Sequence, residues 1–201
     1  MTARAAEMVK TSDVPTGSPS VFYPLTFEEY LPWNPKDGFK YEWVDGQLLK
    51  SEKMITEKQF HIANNLTRFF ARLKAYQEGN SFLPEVKSLT IGKQVRVPDL
   101  AYFTVNQQVA MANGQIQTPL FAVEIISETD DAIHVETKLE EYFSVGVRVV
   151  WHIIPDFEKV YVYTSPIEVS VCRGAAMCSA ESVIEGFSLP TSDIFKKPIA
   201  V

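Results

Sequence analysis

V-R-V-P-D-L-A-Y-F (95–103), F-A-V-E-I-I-S (121–127) and V-R-V-V-W-H-I-I (147–154) decide how this chain folds. Between the last two lies a stretch from Thr129 to Ser144 that places Val135, Leu139 and Tyr142 on one helical face, with Gly146 to end it. Strand, crossover helix and strand at this spacing predict a parallel pair with a right-handed connection. Two of the apolar runs carry one acid each, Asp99 and Glu124. An unpaired buried carboxylate is strongly unfavourable and calls for a partner or a metal. Either these acids sit where strands fray into solvent or they converge on a cation, and the sequence favours the cation.

Lys138 is the third informative residue. It lies three positions after Val135 and four before Tyr142, at the margin of the buried stripe. Its stem can lie along the sheet while its ammonium reaches the strand ends beside Glu124. Two carboxylates from neighbouring strands with a lysine nearby suit phosphodiester hydrolysis. The acids would hold a hard divalent cation, Mg2+ with Mn2+ as a substitute, which lowers the pKa of bound water and stabilises transition-state charge. The lysine would orient the nucleophile or neutralise the phosphate.

Outward from this centre, residues 1–24 mix Thr, Ser, Pro, Gly and charges without periodicity and read as a mobile N-terminal arm. Residues 25–201 read as a single domain. Thr26 caps a short helix that Pro32 stops. Asp45-Gly46, flanked by alternating residues, signals a hairpin that puts Tyr41, Trp43 and Leu48 in one environment and Glu42 on a strand. A helix is predicted from about Glu57 to Glu78, with a Thr56/Gln59 capping box and an apolar stripe from Ile62 to Tyr76. Arg68, Arg72 and Lys74 lie off that stripe, on a face expected to be solvated. Residues 85–103 read as an antiparallel hairpin turning at Gly92-Lys93, with Pro98 marking a strand edge or bulge before Asp99. Residues 106–118 are a polar connection or short helix. K-V-Y-V-Y-T and I-E-V-S-V-C-R form a half-exposed antiparallel pair, and F-S-L-P-T-S-D-I-F a turn with a short helical closure. The fold class is α/β, with a central mixed β-sheet flanked by helices.

With 201 residues, 46% hydrophobic and 22% charged, the chain has room for one substantial core. No apolar run reaches the roughly 20 residues of a membrane span, and the N-terminus lacks a secretory apolar core. Cys172 and Cys178 form neither a disulfide framework nor a metal motif, so a cytoplasmic, reduced protein is expected. A net charge of -6 argues against a broad nucleic-acid-coating surface, yet it leaves room for a nuclease whose metal-binding acids weigh on the count.

Y-E-W-V-D-G-Q-L (41–48), V-P-D-L-A-Y-F (97–103), V-E-I-I-S (123–127) and K-L-E-E-Y-F-S-V-G-V-R-V-V-W-H-I-I-P-D (138–156) together resemble the Uma-two-type "putative restriction endonucleases". These belong to the PD-(D/E)XK, or restriction-endonuclease-like, superfamily, and the likeness runs from about Leu25 to Phe195. The resemblance implies a sheet flanked by helices and metal ligands at Asp99 and Glu124. It also implies a further active-site carboxylate at Glu42 and a lysine displaced onto the following helix at Lys138. The chain departs from the pattern at Ile126, where the superfamily motif has its lysine, at Ser127-Glu128 in place of Ser-Pro, and at Gln59 in place of a histidine.

The expected activity is a Mg2+-dependent endonuclease acting on nucleic acid, DNA before RNA. Asp99, Glu124 and the backbone carbonyl of Ile125 would bind the metal, Glu42 would assist, and Lys138 would position or activate water. A homodimer is compatible with this, since cutting two strands needs two sites. Alternatives remain. The protein is otherwise a catalytically dormant nuclease-fold binding protein, or a metal-dependent hydrolase of another phosphoester. Asp99 alone reads as a turn residue, Glu42 as a solvated hairpin acid and Lys138 as a structural partner of Glu124. His61, His134 and His152 share no ligand spacing and read as incidental, and Trp43 and Trp151 as core.

Overall fold

The computed structural model describes residues 21–33, 35–52 and 56–198. It opens with β1 (Val21–Pro24) and α1 (Phe27–Tyr30), whose Thr26 cap exchanges hydrogen bonds with Glu29. The hairpin β2 (Phe39–Val44) and β3 (Gln47–Glu52) turns at Asp45 and Gly46, with φ of 49° and 78°. That is the doubly left-handed turn that an Asp-Gly pair favours. Next come α2 (Glu57–Phe70), capped by Thr56 and Gln59, and the single turn α3 (Lys74–Gln77). Four short strands follow: β4 (Ser81–Leu83), β5 (Ser88–Leu89), β6 (Val95–Arg96) and β7 (Leu100–Phe103). Then come α4 (Val105–Ala112), β8 (Phe121–Ile125), α5 (Ala132–Ser144) and β9 (Val149–Ile154). The chain closes with β10 (Lys159–Ser165), β11 (Glu168–Arg173), β12 (Met177–Ser179), β13 (Ser188–Pro190) and α6 (Thr191–Ile194).

The central layer is a six-stranded mixed sheet, ordered β11-β10-β9-β8-β7-β4. Its β8–β9 pair is parallel with Glu124 opposite His152, as the strand–helix–strand spacing predicts. A five-stranded antiparallel sheet, β1-β3-β2-β6-β5, stands beside it. Because side chains alternate along β8, the six-stranded sheet has two different faces. Phe121, Val123 and Ile125 point into the main core with Ile62, Leu66 and Phe70 of α2. Ala122 points the other way, into a smaller cluster with Leu139 and Tyr142 of α5. Glu124 and Lys138 continue this second face.

Four expectations change. The long helix ends at Phe70 and Leu73 is extended, at φ -87° and ψ 155°, so Leu73 packs into the core and Tyr76 is left 54% exposed. The hairpin read over 85–103 is two things. β5 and β6 pair with each other, whereas β7 joins the six-stranded sheet, and Val97-Pro98-Asp99 carries the chain from one sheet to the other. Proline supplies no ladder N–H, so pairing stops there. Val21–Pro24, the last four residues of the expected arm, form β1 against β3. Residues 1–20 of that arm lie outside the described residues. Last, β12 and β13 pair as a two-stranded sheet that their short, mixed sequences did not announce.

Candidate active site

The site begins where two ladders run out. β7 and β8 pair from Leu100 to Tyr102, and beyond that the strands diverge into a fork. Asp99 fills it: its Oδ2 accepts the Ile125 N–H at 2.7 Å, replacing the strand that is no longer there. Glu42 does the same on the neighbouring sheet. β2 and β6 share only the Trp43–Val95 pair, and Glu42 Oε1 accepts the Val97 N–H at 2.9 Å. Each acid satisfies a backbone donor that would otherwise be orphaned.

Glu124 comes from the α5 face of β8 and is 6% exposed. Tyr142 donates its hydroxyl to Glu124 Oε1 at 2.7 Å, and Lys138 Nζ lies 3.5 Å from the same oxygen. Lys138 is closer to Glu42, with Nζ 2.9 Å from Oε1. Helical spacing of four brings Lys138 and Tyr142 to one carboxylate. Burial raises the pKa of Glu124, as do Asp99 and Glu42, while Lys138 and Lys40 oppose the shift. Burial also works against the Lys138 ammonium, but Glu124 and Glu42 outweigh it and hold the lysine above its ordinary pKa. For Glu42 the burial penalty is outweighed by Lys138, His134, Lys40 and Arg96, leaving its pKa well below the usual carboxylate value.

The sequence-predicted residues Glu42, Asp99, Glu124 and Lys138 are thus brought to one place, at the junction of the two sheets under α5. Further residues belong to it. Lys40 Nζ is 3.2 Å from Asp99 Oδ1. Arg96 is 1% exposed and grips Glu141 with two nitrogens, at 2.7 and 2.6 Å, while its Nη1 reaches Glu42 Oε2 at 3.2 Å. Thr90 adds a hydroxyl bond to Glu141 Oε2 at 3.2 Å. His134, read as incidental, has Nε2 3.8 Å from Glu42 Oε2. His152 likewise stands opposite Glu124, and burial together with Lys138 lowers its pKa to about 4. Lys40 was legible by its period of two from Glu42, since both share the face opposite Tyr41. Arg96 and Glu141 meet across 45 residues, and no local pattern signals such a pair. Trp151 is fully buried, Trp43 packs in the cluster of Tyr41 and Leu48, and both cysteines are buried.

What could be bound here follows from the donor chemistry. Among the described residues, no group of three or more His, Cys, Asp or Glu side chains converges as a metal cage. A tetrahedral zinc site built wholly from protein ligands is therefore a poor fit. The fork does offer hard oxygens: Asp99, Glu124 and the Ile125 carbonyl, which leaves β8 on the same edge as the N–H given to Asp99. That set fits a cation that takes one or two carboxylates and keeps several waters, as Mg2+ does. Among the described residues no helix is long and apolar enough to cross a membrane.

Comparison with known proteins gives an independent view. The chain is similar to a solved structure described as a putative nuclease belonging to DUF820 from Anabaena variabilis ATCC 29413, with a TM-score of 0.72 and 22% identity. The match covers 86% of this chain and 98% of that one, and at this identity it speaks for the fold. No curated protein matched the chain. Residues 27–192 match the Uma2 family, described as "Putative restriction endonuclease", and the chain belongs to that family.

Proposed function

We propose that this protein is a divalent-metal-dependent endonuclease that hydrolyses phosphodiester bonds in nucleic acid, DNA before RNA. The observation that carries the reading is the convergence of Asp99, Glu124 and Lys138 on the frayed β7–β8 fork, within one buried ionic network. Asp99, Glu124 and the Ile125 carbonyl would hold Mg2+ or Mn2+. When bound, the cation would supply Lewis-acid stabilisation of phosphate charge and acidify a water. Lys138, kept as an ammonium by Glu42 and Glu124, would hold the attacking water or a phosphate oxygen by hydrogen bonding. Glu42 gives one oxygen to Lys138 and Val97 and the other to Arg96, so it positions the lysine and does not act alone. Lys40 would release Asp99 as the cation arrives and turn to the incoming phosphate. In the hydrolysis itself, the water oxygen forms the new bond to phosphorus, the bond to the leaving sugar oxygen breaks, and that oxygen ends protonated. Two copies acting together would cut both strands of a duplex.

One observation favours the dormant alternative: Lys40 already pairs with Asp99, so the site is balanced without a metal. Cleavage of supercoiled plasmid and of single strands, with Mg2+, Mn2+ or EDTA, separates the two. The nuclease reading expects nicking that needs metal and disappears in Asp99→Ala. Absence of cleavage by well-folded wild type under every metal would favour dormancy.

A further inference from the structure

On the opposite side of the six-stranded sheet from Asp99 lies a recess of about 420 Å3 between α2 and the C-terminal segment. It is a built feature. Asn65 of α2 donates to the carbonyls of Ile194 and Lys196 at 3.0 and 2.8 Å, and so straps the segment after α6 onto the helix. Arg68 in the last turn of α2 and Arg72 just past its C-terminal end line one wall, and Lys196 lines the other. Among the described residues none of these three cations has a carboxylate partner, and Asp193 is the one acid in the lining. Unpaired cations gathered in one recess stand out in a chain whose net charge is -6. At the fork, by contrast, the basic side chains Lys40, Arg96 and Lys138 are each paired with acids. Half-buried Phe69, whose ring meets Phe187 edge-on, and the amide of Asn64 also line it, as does Lys197, which lies 4.0 Å from Glu57.

We infer that this recess binds a nucleotide unit of single-stranded nucleic acid, with Arg68, Arg72 and Lys196 on the phosphate and Phe69 and Asn64 against the base. Cations that track a backbone beside an aromatic surface are what flexible strands select. The volume is of the size that small-ligand pockets have, and a rigid duplex cannot thread a nucleotide into it. The α2 face thus anchors a strand end, separate from the fork where bonds would be cut. The choice of nucleic acid over other phosphate carriers rests on the proposed nuclease function.

The test is fluorescence-anisotropy binding of a labelled single-stranded oligonucleotide in EDTA, where nothing is cut. Arg68→Glu/Arg72→Glu should bind at least tenfold more weakly than wild type, with an unchanged melting temperature, since both arginines are exposed. Its slope of log affinity against log salt should become shallower by about 0.7, one phosphate neutralised on a single strand. A nucleoside monophosphate should compete, and inorganic phosphate should compete less well. Arg148→Glu/Arg173→Glu, which makes the same charge change at exposed positions outside the recess, should bind within about threefold of wild type. Equal losses in both double variants would reduce the effect to overall charge and overturn the site. So would unchanged binding in the recess variant, or a preference for duplex that no recess change affects. Asp99→Ala separates the two proposals: it should lose cleavage and keep this binding. Cleavage without recess binding would refute the anchor alone, and recess binding without cleavage would refute the nuclease alone.

Discussion

The two faces of the six-stranded sheet are built from the same strands and do opposite things. On the α2 face, alternate residues of β8 and β9 feed an aromatic cluster. Phe82 stacks on Phe121 at 5.4 Å, and Trp151 and Phe187 meet them edge-on. Such packing is directionally tolerant, and its stability grows with the area removed from water. On the α5 face, the residues one step along the same strands are Ala122, then Glu124, and Val150, then His152. Small apolar groups seat the helix at one end, and a sealed polar network replaces them at the other. A fold that needed only stability would have continued the apolar pattern, because a buried ion pair is on average no better than well-packed hydrocarbon. The α5 face therefore gives up packing in order to hold charges at fixed positions. In the proposed function, this is the working face.

The largest expected effect tests whether that network is truly closed. Arg96→Met removes the one cation that grips Glu141 among the described residues and leaves that buried acid unpaired, so unfolding by urea should show a loss of about 3–5 kcal/mol. Truncating the opposite face with Trp151→Ala should cost a similar amount, about 3–5 kcal/mol, by opening a cavity. If Arg96→Met loses less than about 1 kcal/mol, the polar face is open to water and the contrast between the faces fails.

Next is the division of labour within the polar face. Lys138→Ala should slow cleavage by about 100-fold, the scale of one lost charge-stabilising donor, and leave Mg2+ affinity within a few-fold. Lys138→Arg should recover little, because a planar fork cannot take the place of a compact ammonium between Glu42 and Glu124. Collapse of metal binding with Lys138→Ala would make the lysine a purely structural partner.

How far the sequence revealed each face follows from these same interactions. The α2 face was readable because hydrophobic period is local: Ile62, Leu66 and Phe70 declare a helix face, and Phe121, Val123 and Ile125 a strand face. The acids Asp99 and Glu124 were readable because they interrupt apolar runs, and Lys138 because it borders the stripe of Leu139 and Tyr142. What hid was everything defined by distance. The break at Leu73 carries no proline or glycine, and only packing against the core explains it. The Arg96–Glu141 pair joins a strand of one sheet to a helix over the other. The strand face of Lys40 follows from its period of two from Glu42, but its pairing with Asp99 spans 59 residues and has no local signal.

The smallest effect sharpens that last point. Lys40 holds Asp99 Oδ1, for which the proposed cation would compete, so Lys40→Met should tighten Mg2+ binding by about threefold, roughly 0.7 kcal/mol by the ordinary conversion of a Kd ratio. The same variant should cleave more slowly, having lost a positive charge for the phosphate. Weaker Mg2+ binding in Lys40→Met would mean the lysine supports the metal site and does not guard it.

The central claim is that Asp99 and Glu124 form a cation site on this face, and thermal unfolding with and without Mg2+ tests it most directly. A ligand that binds only the folded state stabilises it by about 2.7 kcal/mol at a hundred times its Kd. Wild type should therefore melt progressively higher as Mg2+ is raised from zero in chelator-treated buffer. Asp99→Asn and Glu124→Gln, which keep shape and remove charge, should show little or no rise. A wild-type midpoint indifferent to Mg2+ and Mn2+, or variants that rise as much as wild type, would contradict the account.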